Sequence, residues 1–453
     1  MLSSRCPGKN HRGRRDATYD YVVIGGGTAG LAVAAYAFSL PALAPTGAAN
    51  RRVHYAAGRT LGGSSALNTM AYNRATKGTY QRWATLVGSD GYTWDNFVKY
   101  FKSSELTPPD FAKRNTPNAT FTYDTSVWYP SKTWFAAGVR TIGLNTSSIG
   151  HNSGILQGGA YTTDTIDPNN PLFLNTATRS SSESSYLRAA ITDTQLMIHH
   201  RTLATKILFT SNKATGVFVS TEEIPFTLTA RKEIILSAGV FHSPHLLLLS
   251  GIGPSSILSP LNIPVISDMP GVGQNLQDQM FFSVQNGISP RPPAPGFSDR
   301  TASLLAALPA DAPEVEYLAG SLAGTTPGVT TVGDLSACLQ TPFSRGNVTL
   351  SSSSASDPPL INMGWLTDPA DGEIVVAAFK RLRQVWASAD MAAVKVGPEI
   401  KPGEAVQTDA EILQWIRENT RSGPLIPFAL PGHPQATVYA LAEKIVNDIL
   451  AGR

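Results

Sequence analysis

The sequence predicts an α/β fold, and three adjoining features near its N-terminal end carry this prediction. A β-branched run, Val22–Ile24, has the composition of a buried strand. It leads directly into Gly25, Gly27 and Gly30 at G-x-G-x-x-G spacing, and an Ala-rich helical stretch follows. Glycines so placed permit a tight turn, close approach of a pyrophosphate and close helix–strand packing. A glycine triplet alone also occurs in ordinary βα turns, but this context favours a Rossmann-like dinucleotide site.

The second half of the first βαβ unit departs from that pattern. An acidic residue that binds the adenosine ribose belongs about 20 residues after the glycines. No Asp or Glu occurs between Asp20 and Asp90. Residues 38–47 contain two prolines and no β-branched run, which makes them a poor central strand. We therefore expect the first βαβ unit to be cut short.

Length and composition exclude several classes of protein. A chain of 453 residues can bury a large core and form two domains. A net charge of +3, with no basic stripe, argues against nucleic-acid binding. No stretch has the length and apolarity of a membrane span, and no signal-peptide core precedes the first strand, so cytoplasmic location is the default expectation.

The N-terminal 1–17 segment is predicted to be a disordered tail, because Lys and Arg cluster there without apolar periodicity. A solvated tail is favoured over a targeting signal. The chain has two cysteines, Cys6 and Cys338, which cannot form a disulfide framework. No spacing typical of metal ligands occurs, and the sequence does not predict an oligomeric state.

Between Lys77 and Trp134 the chain is rich in aromatic residues, which we interpret as core rather than as a substrate cage. Residues 95–101 have helical spacing. The predicted strands that follow are residues 196–199, 204–209, 216–219 and 231–239. The last of them is expected to return to the nucleotide domain.

Helical patterns continue through the C-terminal half, separated by glycine, proline and serine. The predicted helices cover residues 186–190, 243–249, 371–387, 409–418 and a terminal stretch reaching Lys444. Residues 270–278 form a second glycine loop. Residues 289–328, rich in Pro, Ala and Gly, are expected to form a loose connection.

Two of these stretches resemble a known family. Residues 58–68 read GRTLGGSSALN and agree throughout with one signature of the glucose–methanol–choline (GMC) oxidoreductases. Residues 239–253 read GVFHSPHLLLLSGIG and fit the second signature except at Val240. Residues 271–278 and 432–443 are also typical. The resemblance covers most of residues 19–453 and is nearest to fungal members, several of which act in secondary metabolism.

The resemblance implies an FAD-binding Rossmann-like domain of the GMC type and an α+β substrate domain built on an antiparallel sheet. The FAD domain would comprise residues 18–75, 187–275 and 425–453. The substrate domain would comprise residues 76–186 and 276–424. FAD is the implied cofactor, and a small aromatic or polyketide alcohol is the expected substrate.

The resemblance also implies which residues bind FAD. These are Gly25, Gly27, Thr28, Gly30, Gly62, Ser64, Asn68, Thr69, Gln435 and Thr437. The glycines of the first turn would take the pyrophosphate. The residues between positions 62 and 69 would lie along the flavin and its ribityl chain, and the last two would approach the flavin from the closing helix.

In this family a base removes the hydroxyl proton while a hydride moves from carbon to flavin N5. A histidine with a pKa near neutrality suits this role. His433 matches the C-terminal member of the pair that flanks the substrate oxygen, as base or hydrogen-bond partner. The other member has no match, because no histidine lies between His245 and His433. His242 and His245 are expected to pack near a strand end.

Two family blocks are therefore missing from the sequence: the strand for the adenosine ribose, and the block with the first catalytic histidine and its flavin-side strand. Skipped exons or deletions would explain both gaps. Three hypotheses stay open. They are an FAD oxidoreductase acting on CH–OH donors, a degenerate flavin-binding protein without turnover, and a non-redox cyclase or dehydratase of the same family. His433 would be a solvated helix cap if it has no catalytic role.

Overall fold

The computed structural model describes residues 16–29, 38–42, 48–49, 51–104, 138–144, 151–156, 158, 164–170, 176–193, 196–284, 297–323, 331–392, 395, 397–422 and 434–451. The strands in these ranges are β1 (Ala17–Ile24), β2 (Phe38–Ala42), β3 (Val53–Ala57), β4 (Ile166–Asn170), β5 (Thr176–Arg179), β6 (Thr202–Thr210), β7 (Lys213–Thr221), β8 (Ile224–Leu236), β9 (Ile252–Gly253), β10 (Ser267–Asp268), β11 (Met280–Val284), β12 (Val315–Ala323), β13 (Thr331–Leu339), β14 (Asn347–Thr349), β15 (Leu360–Asn362) and β16 (Arg421–Ser422).

The helices in the same ranges are α1 (Lys77–Val87), α2 (Trp94–Ser104), α3 (Arg188–Asp193), α4 (Gly239–Leu249), α5 (Ser255–Leu258), α6 (Asp299–Ala306), α7 (Pro369–Trp386), α8 (Ala389–Ala392), α9 (Asp409–Asn419) and α10 (Gln435–Leu450). None of these helices is long and apolar enough to cross a bilayer. Residues 1–15 of the predicted tail, the helix after Gly30, Trp128 and Trp134 fall outside the described residues. The last two residues of the predicted tail are ordered: Ala17 begins β1, and the Asp16 carboxylate accepts from the Thr227 amide at 2.8 Å.

The first sheet carries the N-terminal glycine turn and has the strand order β1-β8-β7-β6. β1 and β8 run parallel, with Val22 opposite Ile234 and Ile24 opposite Leu236, whereas β6, β7 and β8 are antiparallel. Val22 and Ile24 are buried in one cluster with Leu246 of α4. The predicted first strand and the returning strand are both confirmed.

Like the sequence, the structure departs from a complete first βαβ unit. β2 pairs with β3 in a separate antiparallel hairpin, and among the described strands β1 is hydrogen-bonded to β8. The prolines of the 38–47 segment are compatible with this peripheral hairpin, although not with a central strand. The prediction of a shortened βαβ unit is confirmed for this part of the chain.

The second sheet has the order β12-β13-β11-β16 and is antiparallel, as the resemblance implied. One of its faces packs on α7, where the Phe282 and Phe379 rings lie 6.4 Å apart. The sheets divide between the predicted domains, whose exact boundaries stay a prediction. An α/β fold with an antiparallel second sheet is the architecture of the described residues.

Two smaller predictions are wrong. The 289–328 segment is not a loose connection throughout, because it contains α6 and β12. Ser298 caps α6, and β12 pairs antiparallel with β13, the next strand along the chain, a pairing that composition does not reveal. Residues 196–199 are not a strand. There the His199 ring accepts or donates a 3.0 Å hydrogen bond with the Tyr19 hydroxyl instead of the backbone joining a sheet.

The aromatic region forms a core, as predicted, and this core anchors the C-terminal helix. Tyr80, Phe97 and Phe101, from α1 and α2, are fully buried in one cluster. Ala436 and Ala440 of α10 belong to the same cluster and have no exposed surface. The predicted helices α2, α4, α7, α9 and α10 are confirmed, and the start of α10 is fixed by packing on distant aromatic residues.

A buried ion pair ties α7 to the chain after it. Arg383 donates to both carboxylate oxygens of Glu399 at 2.9 and 2.6 Å and to the Val406 carbonyl at 2.7 Å. The two charged side chains are only 9% and 4% exposed. Removing one partner of such a pair leaves an uncompensated buried charge.

We expect Arg383→Met to lower the free energy of unfolding by about 3–5 kcal/mol, because Glu399 would stay buried without a counter-charge. Urea denaturation measures the loss. Arg300→Met is the matched control, since Arg300 pairs with Asp368 on the surface and should matter far less. The double variant Arg383→Met/Glu399→Leu should recover much of the loss. Equal destabilisation by the buried and exposed substitutions would contradict this account.

Candidate flavin-nucleotide site

The first glycine turn is shaped by the close approach of β1 and the end of β8. The Ser237 amide donates to the Ile24 carbonyl at 2.8 Å. Gly25 follows with φ +119°, and a Cβ atom there would lie 2.2 Å from the Ser237 carbonyl oxygen. A side chain would therefore collide with backbone, so only glycine allows the chain to leave β1 in this direction.

A second glycine turn, at Gly62 and Gly63, lies directly on the first. Both residues have positive φ, +88° and +54°. The Gly62 amide donates to the Gly26 carbonyl at 3.1 Å, and a Cβ on Gly63 would lie 2.5 Å from the Cα of Gly27. The two turns, 35 positions apart, thus meet backbone to backbone, and we call this contact the glycine junction (Gly25–Gly27 with Gly62–Gly63).

Two buried serines hold the glycine junction from the side. The Ser65 hydroxyl donates to the Gly62 carbonyl at 2.6 Å. The Ser182 hydroxyl is 3.3 Å from both the Gly27 and the Gly62 carbonyls, and its amide donates to Ser65 Oγ at 3.1 Å. Each serine is 1% exposed. The sequence analysis did not predict a role for Ser182, although this residue lies in a serine-rich run at residues 180–185.

The predicted residues Asn68 and Gln435 meet, although 367 positions separate them. Asn68 Nδ2 donates to Gln435 Oε1 at 2.6 Å, and Asn68 Oδ1 accepts from Arg179 at 2.9 Å. Both amide side chains are buried, at 4% and 2% exposed. The remaining Gln435 donor, Nε2, is buried and has no well-formed hydrogen bond to the described residues. This donor is enclosed and lies beside the Tyr439 hydroxyl, which is within hydrogen-bonding reach of Gln435.

Tyr439, one turn after Gln435 on α10, joins this amide pair to the serines. Burial raises the pKa of Tyr439, although Ser65, Gln435 and Ser182 lie within hydrogen-bonding reach of its hydroxyl. Its ring stacks on Tyr186 at 5.5 Å between centroids. The hydroxyl stays protonated near neutral pH and acts as a neutral hydrogen-bonding group. Tyr439 was not among the predicted site residues.

The other predicted residues are placed differently. Ser64 is half-buried, and its hydroxyl accepts from the Gly58 amide at 3.3 Å. Thr437 is buried and bonds the Tyr80 hydroxyl at 2.6 Å, on another face of α10 from Gln435. Thr28 is half-buried beside the first turn, and Thr69 is exposed.

Two predicted site residues, Gly30 and His433, fall outside the described residues, and their roles stay predictions. His433 directly precedes Pro434, whose carbonyl accepts from the Val438 amide at 2.8 Å in the first turn of α10. In the part of the chain that is described, no group of three His, Cys, Asp or Glu side chains could hold a metal ion.

The two histidines of α4 lie close together, with ring centroids 6.1 Å apart. Burial, and then the charge of His242, lower the pKa of His245 to about 4. Burial and the Arg59 charge also lower the pKa of His242. His245 is 5% exposed, with its Nε2 enclosed and unbonded among the described residues. It is a weak, enclosed base, which agrees with the structural role expected for it.

Comparison with known proteins decides the family. Profiles described as GMC oxidoreductase match residues 19–281 and 342–425. The chain belongs to the GMC oxidoreductase family. It is similar to the glucose methanol choline oxidoreductase atC of Aspergillus terreus, at 36% identity over 96% of this chain and 93% of the relative. It is also similar to patulin synthase of Penicillium expansum, at 35% identity over 96% of this chain and 92% of that protein.

The fold agrees with solved structures of GMC proteins. A fungal aryl-alcohol oxidase superimposes with a TM-score of 0.78 at 21% identity, covering 97% of this chain and all of the other.

Sequence alignment shows that this GMC oxidoreductase lacks segments that its relatives have. The alignment with the A. terreus relative runs over 581 positions, 128 more than the 453 residues of this chain. Its relatives therefore carry internal segments that are absent here.

We expect Tyr439→Phe to weaken FAD binding about 5- to 30-fold, because one buried hydrogen-bonding group beside Ser65 and Ser182 is lost. Quenching of flavin fluorescence measures the dissociation constant. The matched control is Tyr100→Phe. The Tyr100 hydroxyl, on α2, accepts a 3.3 Å hydrogen bond from Asn447, which lies on α10 like Tyr439 but away from the glycine junction. The idea is refuted if both variants bind FAD like the unmodified protein.

We expect stability to fall as the pH drops from about 6.5 to about 4, partly because of His245. The unfolded residue, with a pKa near 6.5, gains a proton in this window, whereas the folded one does not until about pH 4. In His245→Gln, the slope of the unfolding free energy against pH should fall by the amount that corresponds to one bound proton. His200→Gln, at an exposed position, is the control. An unchanged slope in His245→Gln would show that the folded imidazole titrates normally.

Proposed function

We propose that this GMC oxidoreductase binds FAD and oxidises the CH–OH group of a small-molecule alcohol, in a pathway of fungal secondary metabolism. Bound FAD would supply the hydride acceptor for the carbinol carbon, and His433 would take the hydroxyl proton, so that the alcohol becomes a carbonyl product. The observation that carries the proposal is the convergence of the glycine junction with the Asn68–Gln435 pair. These are the parts of the chain to which the family resemblance assigns the two ends of the flavin half of FAD.

The residues present fit the pyrophosphate and flavin portions of FAD. The first turn has no room for a Cβ atom at Gly25, and both Gly25 and Gly62 have positive φ, which is typical of turns that offer N–H groups to phosphate. The buried, unbonded Nε2 of Gln435 supplies a hydrogen-bond donor at the other end of the site. Gly27, Thr28, Gly30, Ser64 and Thr69 would line the path between them, with Thr437 behind.

When bound, the flavin supplies the hydride acceptor, and the protein supplies orientation and a base. Packing of α10 on the aromatic core holds Gln435 in place, and His433 lies two positions before Gln435 in the sequence. An imidazole suits the reaction because it can accept the hydroxyl proton and later return it to solvent. Tyr439 keeps its proton and would orient neighbouring groups rather than act as the base.

A flavin-binding protein without alcohol oxidation, including a non-redox cyclase or dehydratase, is the second candidate. The sequence favours it on one point: no histidine between His245 and His433 can serve as the second catalytic side chain. The internal segments that the A. terreus relative has and this chain lacks support the same point. The redox proposal requires His433 to act without that partner.

We expect the purified protein reconstituted with FAD to be yellow, and to be bleached anaerobically by a small aromatic alcohol such as benzyl alcohol. His433→Ala should slow this reduction by about 10²- to 10⁴-fold, because the hydroxyl proton would lose its acceptor, while the FAD dissociation constant stays the same. Stopped-flow absorbance measures the rate. His242→Ala is the control and should leave the rate unchanged.

Three outcomes separate the candidates. Bleaching that depends on His433 supports the oxidoreductase. Bound flavin that no alcohol in an aromatic and polyketide panel reduces supports the second candidate. A colourless protein that takes up no flavin contradicts both.

A further inference from the structure

The flavin half and the adenosine half of FAD are bound by different parts of a Rossmann-like domain. Among the described residues, only the elements for the flavin half are in place. The strand beside β1 normally presents the acidic group for the adenosine ribose. Here β1 has β8 on one side, and the next strand along the chain, β2, is paired with β3 from Phe38–Ala57 to Ala42–Val53. β2 is therefore committed to another sheet.

The surface of β1 agrees with this topology. In a doubly wound sheet both faces of such a strand are covered. Val22 and Ile24 are buried, whereas Tyr21 and Val23, which point to the opposite face, are 38% and 46% exposed. Among the described strands β1 is thus at the sheet edge, and two of its apolar side chains are exposed on one face.

The charged groups near β1 do not replace the missing acid. The sequence has no Asp or Glu between positions 20 and 90. Asp20 itself lies in the N-terminal half of β1, away from the glycine turn, and pairs with Arg231 and Lys232 at 3.2 and 3.9 Å. Its carboxylate is engaged by the neighbouring strand rather than directed to a ribose.

By contrast, the residues proposed to bind the flavin half of FAD are in contact with one another. The glycine junction is locked by Ser65 and Ser182, and Asn68 and Gln435 are buried and bonded to each other. A phosphate at the glycine turn and a flavin reaching Gln435 need none of the adenosine-side elements. Riboflavin 5′-phosphate (FMN) carries both of these groups.

We infer that the site recognises the FMN half of the cofactor and gains little from the adenosine half, so that FMN and FAD bind with similar affinity. The inference rests on the proposed flavin site and deepens it. An FAD site with a working ribose clamp gains charge-assisted hydrogen bonds from the adenosine half and discriminates strongly against FMN. This chain should discriminate by less than about tenfold.

The test titrates the full-length apoprotein separately with FMN, FAD and adenosine 5′-monophosphate (AMP), followed by isothermal calorimetry and flavin fluorescence. We expect dissociation constants for FMN and FAD within about tenfold of each other, and no displacement of FMN by millimolar AMP. Gly63→Ala, which would place a Cβ 2.5 Å from Gly27, should weaken both flavins to the same degree. Circular dichroism verifies that this variant is folded.

FAD binding more than about tenfold tighter than FMN, or displacement of FAD by AMP, would overturn the inference while leaving the proposed function standing. Binding of neither flavin would contradict the proposed function, and this inference with it. Similar affinities for both flavins, without alcohol-dependent bleaching, would uphold the inference and refute only the redox step.

Discussion

The contact between the Gly25–Gly27 turn and the Gly62–Gly63 turn is the constraint on which the site depends. Two backbone segments approach so closely that a Cβ on Gly63 would lie 2.5 Å from Gly27. Such an approach requires glycine, and it also requires outside support, because glycine is the residue with the most conformational freedom to lose. Ser65 and Ser182 provide that support by bonding the carbonyls that the junction leaves exposed.

The support extends from the serines to the aromatic core. Tyr439 lies beside Ser65 and Ser182 and stacks on Tyr186, whose hydroxyl donates to Glu443 at 2.9 Å. α10 in turn packs on α1 and α2 through small alanines and the buried Tyr80 ring. The geometry of the N-terminal turn is therefore maintained by the C-terminal helix, and large aromatic side chains far from any ligand determine where Gln435 is held.

In the proposed cofactor site, the residues assigned to the flavin are in contact, whereas those expected on the adenosine side are missing. The parallel β1–β8 pair, the α4 packing and the glycine junction all lie within residues 19–281, which match the GMC family model. The edge of β1 does not, since β2 has joined a separate hairpin and Val23 is exposed. Domains of this size are stabilised by many contacts, so a chain can lose a peripheral unit and keep its core. Loss of a unit that binds part of a ligand changes recognition more than it changes the fold.

The sequence by itself determined the elements whose signal is local. The β-branched run before the glycines, the helical periodicity of α7 and α9, and Pro41, which makes residues 38–42 a poor central strand, all act over a few neighbouring positions. The two GMC signatures identified the family because they are contiguous. Tertiary structure alone decided the bond between Asn68 and Gln435, the clamp by Ser182 and the placing of Tyr439 beside it. These contacts join residues tens to hundreds of positions apart, and no local preference encodes which distant surface a buried side chain will meet.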